Sequence, residues 1–147
     1  MKTVLDKGTR DELVSRINSV NESKTPEWGK MTGYQMLKHC CLTEELYLEH
    51  KKYKRAFFGR IFGKKALKNI LKESAPFPKN AKTSRNFIVT GSGNLEDEKT
   101  KLISLVNEYE TFSHPFVEHW FFGKMSKEQV GAFSYKHLDH HLQQFGC

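Results

Sequence analysis

Apolar positions recur at a spacing near 3.6 residues in four stretches of the chain, and each stretch opens on residues that cap a helix. Thr9-Arg10-Asp11-Glu12 has the form of a capping box, whose hydroxyl and carboxylate satisfy free amides of the first turn. Leu13, Val14, Ile17 and Val20 follow on one face, predicting a first helix to about Asn21. Thr32-Gly33-Tyr34-Gln35 opens a second in the same way, with Met36, His39, Leu42, Thr43, Leu46 and Tyr53 near one stripe and an end near Arg55. A third begins around Asn94, places Glu96, Asp97 and Glu98 at its electropositive start, and carries Leu95, Leu102, Leu105, Val106, Tyr109 and Phe112. Ser126-Lys127-Glu128-Gln129 caps a fourth, whose inward positions read Val130, Phe133, Ser134, His137, Leu138, His141, Gln144 and Phe145.

Four such helices bury their stripes together as a bundle, so the expected fold is all-α, a four-helix bundle formed by residues 1–147 as one domain. About ten residues, including Pro26, join the first two helices and allow them to lie antiparallel; nearly forty separate the second from the third and allow those two to run parallel. The fourth, after His114-Pro115, then returns antiparallel to both, which gives an up-down-down-up order. The long crossover holds a short amphipathic helical pattern (Phe58, Ile61, Phe62, Leu67, Ile70, Leu71), a turn at Ala75 to Asn80, and a brief extended piece at Asn86 to Gly93.

Composition bounds the function classes. The 11 Phe, 5 Tyr and 2 Trp residues argue against disorder. Neither the apolar run of a secretory signal nor a stretch of about 18 to 20 apolar residues occurs, so a cytoplasmic protein without a transmembrane segment is expected. Cys40 and Cys41 are neighbours in a helical pattern and Cys147 is terminal, a poor framework for disulfides. The net charge is +7, yet residues 51–72 contain nine cations and no anion, leaving −2 for the remainder. Only that segment is basic.

Seven histidines supply the candidate chemistry. His137 and His141 lie four residues apart and project from one helix face about one turn apart, a spacing that chelates one ion. His39 sits about 10 Å along the second helix from Thr32, while His141 and His137 lie about 6 and 12 Å back from Phe145. In an antiparallel pair the three imidazoles reach one level. Each occupies an apolar stripe where an unpartnered ring is costly; either a shared metal or separate hydrogen bonds to neighbouring groups satisfies them. His140 points about 100° away from His141, His50 is about 16 Å from His39, and His114 and His119 fall on the loop entering the fourth helix. Glu44 and Glu45 read as surface charges of the second helix.

GYQMLKHC (Gly33 to Cys40) and KHLDHHLQQFG (Lys136 to Gly146) resemble the two histidine motifs of the DinB-like superfamily. Within it the chain is similar to a domain-of-unknown-function family that pairs Met-Thr-x-Tyr-Gln-Met-Leu-x-His-Cys with a late His-Pro-Phe, Phe-Gly-Lys and His-Leu-Asp-His-His-Leu-x-Gln-Phe-Gly. With Trp28-Gly29-Lys30 and Phe77-Pro78-Lys79-Asn80 included, the similarity spans about residues 28–147. It implies the up-down-down-up bundle, a homodimer, and a divalent metal such as zinc or nickel held by His39, His137 and His141. His140 and Gln144 stand beside those ligands. The superfamily's His-His-Arg-Gly-Gln reads His140-His141-Leu142-Gln143-Gln144 here, so no role resting on that arginine is carried over. Characterised relatives include transferases that attach low-molecular-weight thiols to electrophiles.

The expected function is a metal-dependent enzyme, thiol-transferase-like or hydrolase-like, with a small-molecule substrate such as a low-molecular-weight thiol and no assigned catalytic base. Two other classes compete: a non-enzymatic bundle that its metal braces, and a protein whose basic segment 51–72 binds nucleic acid or an anionic surface. Nucleic acid is disfavoured, because the interleaved aromatics fall on the apolar side of a helical pattern.

Overall fold

The computed structural model describes residues 1–147. Five α-helices and one hairpin follow one another: α1 (Lys7–Ser19), α2 (Gly33–Tyr47), α3 (Phe57–Ile70), α4 (Leu95–Glu108), the antiparallel strands β1 (Phe116–His119) and β2 (Gly123–Ser126), and α5 (Lys127–Gln144). The expected all-α four-helix bundle is thereby corrected to a mixed architecture of five helices with a two-stranded sheet. The residues read as a loop before the last helix form that sheet. Phe116 and Glu118 face out while Val117 and His119 face in, the period of two that marks a strand. After the tip residues Trp120 to Phe122 the chain turns back at Gly123, whose φ of +76° is open to glycine at little cost.

Residue pairs across the helices set their directions. Lys38 meets Glu98 and Glu45 meets Lys101, so α2 and α4 run parallel. Thr43 meets His137 and Glu44 meets Ser134, so α5 runs antiparallel to α2. Val4 and Leu5 lie against Gly131 while Arg16 pairs with Asp139, which places α1 alongside α5. Leu13, Ile17, Met36, Leu37, Leu102, Val106 and Leu138 form the centre of one continuous core.

Three boundaries differ from expectation. Asp6, not Thr9, caps α1: its carboxylate accepts both the amide and the hydroxyl of Thr9, which makes Thr9 an interior residue of the first turn. Thr32 and Ser126 do form the reciprocal boxes with Gln35 and Gln129. Helix α2 stops at Tyr47, well before Arg55, because Glu49 takes a left-handed conformation (φ +61°) and no apolar residue follows until Tyr53. Tyr53 leaves the helix and packs on Phe87 with ring centroids 5.0 Å apart. The piece expected to be extended, Asn86 to Gly93, instead begins inside a single 3₁₀ turn at Arg85–Phe87.

Two further placements depart from the pattern. In α3 the buried face is Gly59, Gly63 and Leu67, whereas Phe57, Phe58, Ile61 and Phe62 are exposed. Glu44, read as a surface charge, is fully buried, and Glu45 is nearly so, paired with Lys51 and Lys101. The Glu44 carboxyl receives hydrogen bonds from the Tyr109 hydroxyl (2.6 Å) and the Ser134 hydroxyl (2.9 Å), a polar knot joining α2, the end of α4 and α5.

Burial pushes the Glu44 carboxyl up from 4.5 to about 7, and the two hydroxyl donors only partly offset it. Because the folded value lies above the unfolded one, the folded protein keeps a proton that the unfolded chain releases. The stability from this group is complete below pH 4.5 and is lost as pH rises through about 7. The urea midpoint of metal-free wild type, relative to Glu44→Gln, is therefore expected to decline across that window. A difference that does not change with pH would contradict this reading of the knot.

Candidate metal centre

Two capped helices deliver the three rings. The Thr32 box fixes the start of α2 and so the level of His39; the Ser126 box does the same for His137 and His141 on α5. With α2 and α5 antiparallel, the ring centroids lie 5.2 Å (His39 to His137), 4.9 Å (His39 to His141) and 4.7 Å (His137 to His141) apart. One nitrogen from each ring lies within 4.8 Å of the others, and all three residues are buried.

The outer partners decide which nitrogens face inward. His39 Nδ1 donates to the carbonyl of Phe87 at 2.8 Å, and His141 Nδ1 donates to Gln144 Oε1 at 2.9 Å. Thr43 spends its proton on the Cys40 carbonyl (2.9 Å), so its Oγ1 is an acceptor for His137 Nδ1 at 3.5 Å. These partners favour, for each neutral ring, the tautomer with its proton on Nδ1 and a lone pair on Nε2, most strongly for His39 and His141, whose contacts are short. Burial, reinforced by the neighbouring rings, drives the imidazolium forms away: His141 is pushed down to about 3, His137 falls well below its ordinary value, and burial also lowers His39.

His39 Nε2 and His137 Nε2 stand 3.3 Å apart, with acceptor lone pairs facing each other. With both rings protonated on Nδ1, that contact sets two lone pairs against each other, which a cation beside them would relieve. Two nitrogens bound at about 2.0–2.1 Å to a tetrahedral ion are separated by roughly 3.3 Å, so the observed spacing fits a divalent metal. Hydrogen-bonded ligand imidazoles of this kind are the usual way a protein orients a metal's nitrogen donors.

Gln144 is itself held. Its Nε2 donates to the Trp28 carbonyl at 2.6 Å, and the chain there turns through Gly29, at φ +82°. A β-carbon on Gly29 would come within 2.7 Å of Gln144 Nε2. The Trp28-Gly29-Lys30 segment thus acts on the cluster through Gln144 and His141.

A cavity of about 470 Å³ opens over the three rings, with aromatic side chains among its walls, including Tyr47, Phe77, Trp120 and Phe122. His119 lines it too. Its Nδ1 accepts the amides of Phe121 (3.0 Å) and Phe122 (3.1 Å), so the neutral ring holds its proton on Nε2. Burial and the nearby Arg55 guanidinium push its pKa down to about 3. His119 is therefore a fixed N–H donor in the cavity wall, on the strand that sequence reasoning took for loop. The polarity of Phe116-Val117-Glu118-His119 does not alternate, since apolar Phe116 faces out and polar His119 faces in, so the sequence carried no period-two signal for this strand.

Of the other candidates, His140 lines the same cavity beside His141 and the rest lie elsewhere. His140 stays outside the cluster of three, its ring against Trp28 and Phe77 at 5.5 and 5.1 Å. His50 and His114 pair with Glu108 and Glu49 at exposed positions. Cys40 and Cys41 are buried thiols turned towards Met36 and the Glu98 carbonyl, and burial pushes both thiol pKa values up. Neither belongs to the cluster.

A family model described as "Protein of unknown function (DUF1569)" matches residues 2–146, and the chain belongs to that family. No curated protein and no solved structure matches it.

The hydrogen-bond pattern makes a graded prediction for zinc titrated against a chromophoric chelator. Gln144→Ala should weaken binding by about 10- to 100-fold through the loosened His141 ring. His114→Ala, remote from the cluster, should leave it unchanged. Wild-type affinity in Gln144→Ala would show that the Nδ1 partners do not orient the donors.

Proposed function

We propose that this DUF1569 protein is a metal-dependent enzyme in which His39, His137 and His141 hold one divalent ion, zinc or nickel, and which acts on a small-molecule substrate by thiol-transferase-like or hydrolase-like chemistry. Membership of the DinB-like superfamily and a cytoplasmic setting are part of the same reading. The observation that carries it is the convergence of three Nδ1-anchored imidazoles beneath an open cavity. Three neutral nitrogen donors are the complement of catalytic sites, which keep a coordination position free, whereas structural sites are closed by a fourth protein ligand. Here no cysteine or carboxylate joins the three.

A divalent ion so held supplies Lewis acidity, enough to polarise a substrate carbonyl or to stabilise a thiol as its thiolate. The chain's own residues account for the rest. The aromatic wall formed by Tyr47, Phe77 and Phe122 limits water around a bound substrate. The N–H of His119 Nε2, fixed by the two amides behind the ring, is suited to hold a carbonyl oxygen or an anionic group of the substrate. Glu44 takes no part as a base, because its carboxyl is sealed in the core by Tyr109 and Ser134.

Protein purified without a histidine tag should contain about one first-row divalent ion per chain, lost in His39→Ala and His141→Ala. Assayed against a panel of low-molecular-weight thiols with a fluorogenic electrophile, and against aryl esters, it should turn over in one arm and fail after chelation. His119→Phe should retain the metal while lowering that turnover. A metal-loaded protein inert in both arms, yet melting at a lower temperature when stripped, would replace the enzyme with a bundle that its metal braces.

A further inference from the structure

Helix α3 is built inside out. On a helical wheel Phe57, Phe58, Ile61 and Phe62 span about 140°, and they point away from the protein. They are 71, 67, 60 and 55% exposed. The opposite side is held down by glycine: a β-carbon on Gly59 or Gly63 would lie 2.5 or 2.1 Å from the Phe121 carbonyl oxygen at the hairpin tip. The start of the helix is fixed as well, by the Ala56 amide donating to the Trp120 carbonyl at 2.9 Å. So close a contact along the glycine side leaves α3 no room to roll its aromatic side into the core.

The same outward sector turns basic along the helix. Lys65 and Lys68 fall within it and Lys64 at its edge, by the same wheel. All three are exposed, as is Arg60, and none of these four meets a carboxylate, although the Lys64 ammonium donates to the Lys124 carbonyl. Of the nine cations in residues 51–72, only Lys51, Lys52 and Arg55 do so. The face therefore offers a cluster of large aromatic and aliphatic side chains beside uncompensated ammonium groups.

We propose that the outward face of α3 docks on an anionic lipid bilayer, with Phe57, Phe58, Ile61 and Phe62 entering the headgroup–acyl boundary and Lys64, Lys65 and Lys68 contacting lipid phosphates. Bulky aromatics favour that boundary, and flanking cations add electrostatic attraction to anionic lipid. The charge also argues against a second copy as the occupant, since a two-fold contact through α3 would gather Lys64, Lys65 and Lys68 of both copies in one interface with no carboxylate on that face to pair them. A polyanion without an apolar phase would satisfy the lysines and leave the aromatic cluster in water. On its inner side α3 contributes Ala66 and Ile70 to the cavity wall, so docking sets that cavity beside the membrane. The inference is independent of the metal.

The test is co-sedimentation of the full chain with large unilamellar vesicles, either pure phosphatidylcholine or phosphatidylcholine containing phosphatidylglycerol. Binding is expected to the mixed vesicles alone and to weaken with salt. The triple change Lys64→Glu, Lys65→Glu, Lys68→Glu should reduce it by roughly a hundredfold or more. The pair Phe58→Ser, Phe62→Ser should reduce it by at least about tenfold with the lysines intact. All five positions are exposed, and far-UV circular dichroism checks that the helices persist. Absence of vesicle binding overturns the proposal, as does equal binding to both compositions. So does undiminished binding of the phenylalanine pair, which indicates charge attraction alone, of the kind heparin would satisfy. A concentration-dependent dimer abolished by the same pair, with no vesicle binding, assigns the face to a second copy.

Discussion

Three lone pairs pointing at one another are the constraint on which the rest of this structure turns. An imidazole buried in a helix stripe has two nitrogens to satisfy, and here each outer nitrogen is already committed, to the Phe87 carbonyl, to Thr43 Oγ1 or to Gln144 Oε1. What remains is an inward set of acceptors that one shared cation would reconcile. The low proton affinity that burial imposes on the same rings removes the simplest candidate, an imidazolium, near neutral pH.

Much of the surrounding fold serves that geometry. The two capping boxes set the phases of α2 and α5, and their antiparallel packing brings His39 level with His137 and His141. The left-handed turn at Gly29 anchors Gln144, the 3₁₀ turn at Arg85–Phe87 aims a carbonyl at His39, and the hairpin supplies His119 to the cavity wall. Segments that add little to the helical core thus supply hydrogen-bond acceptors and walls to the cluster.

The parts legible in the sequence are those whose cause is local. The Thr32 and Ser126 boxes lie within four residues of their partners, the spacing of His137 and His141 follows from the helix repeat, and the level of His39 follows from counting rises. The missed parts depend on distant contacts. The apolar stripe of α3 looks like any amphipathic face until Gly59 and Gly63 are seen against the Phe121 backbone. Glu44 looks solvated until Tyr109 and Ser134 surround it. The α1 start was misplaced because Thr9 and Asp6 are both good caps, and only the bond from the Thr9 amide chooses between them. The hairpin was missed because its first strand alternates in burial and not in polarity: apolar Phe116 faces out and polar His119 faces in, an arrangement set by packing against distant residues.

The central claim is that three Nε2 atoms share one cation with room left for a substrate. X-ray absorption at the metal edge of the zinc-loaded protein reads that coordination directly. The account predicts three imidazole nitrogens at about 2.0–2.1 Å, completed by light, exchangeable scatterers and no sulfur. Zinc bound by fewer than three imidazoles, or by a thiolate from Cys40, Cys41 or Cys147, would contradict it.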